Sequence, residues 1–107
     1  MKTLTELRLY TNKIGDSGAQ YLGEALKTNQ SLQDLRLQTN KIGDSGAQYL
    51  ADGLKVNKTL TYLNLRNNKI GDNGAQHIAE GLKVNKVNYI VIHSLEIFNS
   101  TFTNILS

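Results

Sequence analysis

The sequence has 107 residues and contains neither cysteine nor tryptophan. Without cysteine there are no disulfides and no thiolate metal sites, which suits a reducing compartment. No apolar run approaches the length of a membrane span, and the opening stretch MKTLTELRLYTNK has no apolar core of the signal-peptide kind. A cytoplasmic location with no membrane contact is therefore the expectation. Acidic residues are in the minority, 9 against 12 Lys and Arg, for a net charge of +3. That balance invites a nucleic-acid reading. However, Lys13, Lys41 and Lys69 are each followed three residues later by Asp16, Asp44 and Asp72. Interleaved signs describe a solvated surface rather than a phosphate track, so nucleic acid is not expected as a partner.

What the chain does have is repetition. TNKIGDSGAQYL at 11–22 recurs unchanged at 39–50 and again, lightly edited, as NNKIGDNGAQHI at 67–78, each copy 28 residues after the last. In register, the units begin at Leu4, Leu32 and Leu60, and each opens L-x-x-L-x-L. The last two leucines of each set alternate with polar residues, the period of a strand with one buried face. Asn12, Asn40 and Asn68 come next, followed two residues later by Ile14, Ile42 and Ile70. A Gly-Asp-Ser/Asn-Gly turn signal precedes a change of period. Ala47, Leu50, Ala51 and Leu54 fall at helical spacing, as do Ala75, Ile78, Ala79 and Leu82, with Ala19, Leu22, Gly23 and Leu26 in the first copy. Ser17 with Gln20, Ser45 with Gln48 and Asn73 with Gln76 have capping-box spacing and predict the helix starts. Lys-x-Asn at 27–29, 55–57 and 83–85 predicts the helix ends, with asparagine taking a left-handed stop. Asn29 and Asn57 also fit glycosylation sequons, as does Asn99, but the first two are read here as helix ends.

Each unit thus reads as strand, bend, helix and return, with successive strands parallel. The pattern L-x-x-L-x-L-x-x-N-x-I-G-D-x-G-A-x-x-L-x-x-x-L resembles the leucine-rich repeat of the ribonuclease-inhibitor type and is similar to the repeats of NOD-like receptors. The resemblance covers residues 4–86. It implies an α/β fold, a right-handed β-α superhelix forming a short horseshoe arc, with a parallel sheet on the concave side and helices on the convex side. Residues 1–86 would form three such repeats, and 87–107 a degenerate fourth unit or C-terminal cap. In that last segment Val87, Ile90 and Ile92 fit a fourth strand, Leu95 takes the place of the asparagine, and Leu95, Phe98, Phe102 and Ile105 fall at helical spacing. A column of buried asparagines, Asn12, Asn40 and Asn68, would bridge the backbones of adjacent coils as a structural ladder, with Asn40 the rung least tolerant of replacement. Leu4 opens a standard unit behind only three residues. A bare repeat exposes apolar surface, so either further repeats precede this chain or it self-associates through that end.

No chemistry is indicated. Gly-Asp-Ser-Gly at 15–18 and 43–46 matches a serine-protease nucleophile motif, but His77 and His93 are the only histidines and Asn73 replaces the serine in the third copy. The Asp16, Asp44, Asp72 column has no companion oxygen ligands, so neither metal nor cofactor is expected. Tyr21, Tyr49 and His77 form an aromatic column on the helix side, either a contact surface or simple stacking. The positions between the strand leucines differ from copy to copy and offer Tyr and Arg, the residue types that anchor interfaces. One column is Glu6, Asp34, Tyr62 and Tyr89; the next is Arg8, Arg36, Asn64 and Val91; a third is Tyr10, Gln38, Arg66 and His93. The alternative for these columns is a solvated sheet face held by cross-strand ion pairs. The expected function is non-catalytic recognition of a protein partner on this concave face. Two other readings stand beside it: a GTPase regulator, since Ran GTPase-activating proteins carry similar repeats, and a structural piece of a longer array with no partner of its own.

Overall fold

A computed structural model describes residues 4–83, 89–92 and 96–97. Along the chain it runs β1 (Glu6–Arg8), α1 (Gly15–Thr28), β2 (Asp34–Arg36), α2 (Asp44–Val56), β3 (Tyr62–Asn64), α3 (Asp72–Leu82), β4 (Tyr89–Val91) and β5 (Glu96–Ile97). The strands form one sheet in chain order. β1 to β4 pair in parallel with Leu7, Leu35, Leu63 and Ile90 in one row. Each of β1 to β3 is therefore followed by a helix that returns the chain to the start of the next strand, the α/β architecture that the repeat predicted.

The leucines face inward. Leu35, Leu37, Leu63 and Leu65 from the sheet, Ile42 and Ile70 from the bends, and Leu50, Leu54, Ile78 and Leu82 from the helices are all buried in one core. The first coil closes it poorly. Leu4, Leu32 and Leu60 hold the same repeat position, yet they are 51%, 5% and 0% exposed. Leu7, Leu9, Ile14 and Leu22 are only partly buried, and an open apolar cavity of about 110 Å³ lies beside Leu4, Leu7, Leu22 and Leu26.

Asparagine side chains join the coils. Asn40 Oδ1 accepts from the N–H groups of Asn12 (2.8 Å) and Ile14 (3.3 Å), while its Nδ2 donates to the carbonyls of Leu9 (2.8 Å) and Leu37 (3.0 Å). Asn68 does the same for the next pair, accepting from Asn40 and Ile42 and donating to Leu37 and Leu65. Asn12, with no coil before it, turns its amide to Leu9 and Tyr10. A second bridge sits at the other end of the helices. Asn57 is buried, donates to the carbonyls of Leu26 (3.0 Å) and Asn29 (2.8 Å), and accepts from Thr59 and Leu60.

Several local expectations need correction. The helices do not start on a capping box: none has a side-chain cap from its own flanking residue, and α2 and α3 begin one residue before Ser45 and Asn73, with α1 beginning earlier still. Instead the carboxylate of the preceding coil caps the next helix. Asp16 Oδ1 accepts from Gly43 N (2.7 Å) and Gly46 N (3.0 Å), and Asp44 Oδ1 from Gly71 N (2.7 Å) and Gly74 N (3.0 Å). Asn29 and Asn57 are extended rather than left-handed, with φ of −77° and −68°. Their side chains turn back onto the chain that follows, so no left-handed residue is needed. Glu96–Ile97 form a strand antiparallel to β4, with Ile90 opposite Ile97, and not the start of a terminal helix. The sheet edge left by β4 offers backbone partners that an isolated apolar stripe does not. Leu95, Phe98, Phe102 and Ile105 lie outside the described residues.

Candidate functional site

The face of the sheet turned away from the helices carries the variable side chains. Backbone register places Glu6, Asp34, Tyr62 and Tyr89 in one row and Arg8, Arg36, Asn64 and Val91 in the next. Strand pairing sets a spacing of about 4.8 Å between neighbours in a row, so like side chains fall into van der Waals contact. Tyr62 and Tyr89 use that spacing directly. Their rings stack with centroids 4.8 Å apart and planes within 7°. Arg36 extends the stack, its guanidinium carbon 4.7 Å from the centre of the Tyr62 ring.

Charge occupies the other half of the face. Arg36 pairs with Asp34 at 3.0 Å and lies 4.0 Å from Glu6, which also holds Arg8 at 2.8 Å. The close pairs thus join residues two apart on one strand, and the cross-strand contact is the longer one. The hydrogen bond to Asp34 raises the Arg36 pKa above its ordinary value against the opposing effect of burial, and the charges of Asp34, Tyr62 and Glu6 add to it. Arg36 therefore stays cationic at any working pH. Its side chain is 29% exposed, against 50% for Arg8, so the Arg36 pair is the more shielded and the better fixed of the two. A flat aromatic surface is thereby continued by a cation whose position is set by two carboxylates.

The third predicted column lies just past the strand ends, where the parallel ladder of backbone hydrogen bonds still continues. Tyr10, Gln38 and Arg66 lie in the bends beyond the strands, where Thr11 N and Thr39 N reach the Gln38 and Arg66 carbonyls. Gln38 Oε1 is buried with no hydrogen-bond partner among the described residues. Asn64 spends its Oδ1 on Arg66 N at 3.0 Å. Val91 shares the row of Arg8, Arg36 and Asn64 but is only 4% exposed, and it is not among the residues of the core cluster. His93 lies outside the described residues. On the helix side Tyr21 is 77% exposed and Tyr49 38% exposed, while His77 is half-buried. Among the described residues the ring stack belongs to the sheet face instead. Tyr89 could be placed beside Tyr62 from the repeat register, but the stack itself needed the strand spacing.

Two comparisons bear on this geometry. No curated protein matches the chain significantly by sequence. Among solved structures the chain is similar to "Leiomodin-1 Actin-Binding Site 2 (ABS2)", with 27% identity and a TM-score of 0.75 over 95% of this chain. The match spans 61% of that structure's own length. The family described as leucine-rich repeat matches at residues 1–23, 28–51 and 56–79, in step with the coils described above. With three coils built on one leucine framework and joined rung by rung through their asparagines, the chain belongs to the leucine-rich repeat family.

Proposed function

We propose that the chain is a non-catalytic module that binds a protein partner on the open face of its sheet. The observation that carries this is the fixed stack of Arg36, Tyr62 and Tyr89. Aromatic and arginine side chains are the usual anchors of protein interfaces, and anchors already held in place lose little entropy on binding. Likeness to an actin-binding leucine-rich structure makes actin the first partner to test.

Co-sedimentation with actin filaments, and gel filtration with actin monomers, would be run on the unaltered chain and on an Arg36→Glu/Tyr62→Ala variant. The unaltered chain is expected to bind, and the double variant to lose about 2 kcal/mol or more, roughly thirtyfold in affinity. Equal binding by both would refute the sheet face as the contact.

The poorly covered first coil supports a second interaction, self-association through Leu4, Leu7 and Leu22. Sedimentation of the unaltered chain across a wide concentration range, against Leu4→Asp, tests it directly. A monomer at every concentration refutes it.

A further inference from the structure

At the carboxyl ends of the strands, apart from the open sheet face, Thr11, Lys13, Thr39, Lys41, Asn67 and Lys69 line an open groove of about 210 Å³. In the sequence each lysine is shadowed by an aspartate, and the surface reads as self-neutralised. The fold separates the signs. Asp16 and Asp44 give their carboxylates to backbone N–H groups at the start of the next coil's helix, and among the described residues no carboxylate lines the groove. Among the described residues none of the three lysines forms an ion pair. The backbone here is also unusual. Thr11, Lys13, Thr39, Lys41 and Asn67 have φ of 64°, 53°, 61°, 60° and 58°. That region is unfavourable for L-residues other than glycine, most of all for β-branched threonine, and such conformations cluster where ligands are held.

We propose that this groove seats an acidic helix of a protein partner, its carboxylates at i and i+4 each meeting one lysine. The proposal rests on the protein-binding reading above and extends the contact from the sheet face to its rim. Pitch favours a helix. Strands repeat about every 4.8 Å, and the bends that carry the lysines follow them in step. Side chains one helical turn apart on a partner are about 5–6 Å apart, whereas same-face side chains on an extended peptide are nearer 7 Å. An ammonium group is a point charge without a required plane, so it accepts carboxylates over a range of approach angles. The cavity is too small to enclose a drug-sized molecule, which by comparison fills about 300 Å³ or more, and so it receives side-chain ends.

The test is fluorescence anisotropy with the full chain at low and moderate salt. The probes are a labelled alanine-based helix carrying glutamates at i and i+4, the same composition with the glutamates scattered around the helix, and a labelled single-stranded oligonucleotide. The patterned helix should bind, and binding should weaken about tenfold in Lys13→Gln/Lys41→Gln/Lys69→Gln. Lys27→Gln/Lys55→Gln, in the last turns of α1 and α2, should leave the helix affinity unchanged, and failure of the sheet-face reading would be seen separately in the actin assay. Thermal melting checks that the triple variant folds; if it does not, Lys41→Gln alone should still weaken binding measurably. Three results would overturn the proposal: equal binding of the scattered peptide, no loss in the lysine variants, or tighter binding of the oligonucleotide than of the patterned helix.

Discussion

Asn40 is fully buried and serves two coils at once, accepting from the N–H groups of Asn12 and Ile14 and donating to the carbonyls of Leu9 and Leu37. Both carbonyls keep a second donor, from Asn12 Nδ2 and Asn68 Nδ2, so the loss on replacement falls on the two N–H groups. An orphaned buried group costs about 1–3 kcal/mol, and Asn40→Leu should therefore lower stability in urea unfolding by about 2–4 kcal/mol. Asn12 is exposed and its side chain bonds only to carbonyls of its own coil, so Asn12→Leu should cost less than about 1 kcal/mol. The column of asparagines was legible from three identical positions. The second bridge at Asn57 was not, because Lys-x-Asn after a helix also fits an ordinary chain stop. Only the neighbouring coil, with the Leu26 and Asn29 carbonyls in reach, shows what that side chain does.

Among the elements, helix starts separate local from tertiary causes most cleanly. Ser45 sits at a predicted capping position, yet the cap of α2 comes from Asp16 in the coil before, and that of α3 from Asp44. Asp44→Ala should destabilise the protein by about 1–2 kcal/mol, the usual cost of a lost N-cap, while Ser45→Ala should change it by no more than about 0.5 kcal/mol. Chemical denaturation of the two variants side by side distinguishes the two caps. Packing between helices gives a second test. A methyl group added at Gly53 would run into the Gly23 carbonyl of α1, and one at Gly23 into the Tyr49 carbonyl of α2. Alanine is the better helix former by about 1 kcal/mol, yet overpacking against fixed backbone costs about 1–3 kcal/mol. Gly53→Ala should therefore be net destabilising, with a lower midpoint in the same denaturation series. Gly23 had looked like a gap in the apolar helical pattern, and it proves to be where α2 comes closest.

Across the whole molecule, stability is unevenly distributed because each coil is covered by its neighbours. The middle coil has one on either side; the first has a neighbour on one side only, and Leu4 is 51% exposed where Leu32 is 5%. In repeat proteins stability is close to a sum of unit and nearest-neighbour terms. Amide hydrogen exchange should accordingly be slowest at Leu35, Leu37, Leu63 and Leu65 and faster by about tenfold or more at Leu7 and Leu9. Uniform protection from β1 to β3 would contradict this ordering. The same argument explains why the open face is a stable platform: Arg36 and Tyr62 stand on β2 and β3, each with a strand on both sides.

Residue order alone determined the coil. A leucine framework, one asparagine and one isoleucine repeating at equal intervals leave a chain no other way to bury its apolar side chains, and so strand, bend and helix could be read in advance. Which variable side chains share a row also followed, because register is set by that same repeat. Tertiary structure decided everything that passes between coils. It transferred Asp16 and Asp44 to the next helix, hid Val91, stacked Tyr62 on Tyr89 under Arg36, and left three lysines facing a groove with no acid among its described lining residues. The physical reason is distance: these partners are about 28 residues apart along the chain and about 5 Å apart across the sheet, and a local pattern carries no record of a neighbour that close in space.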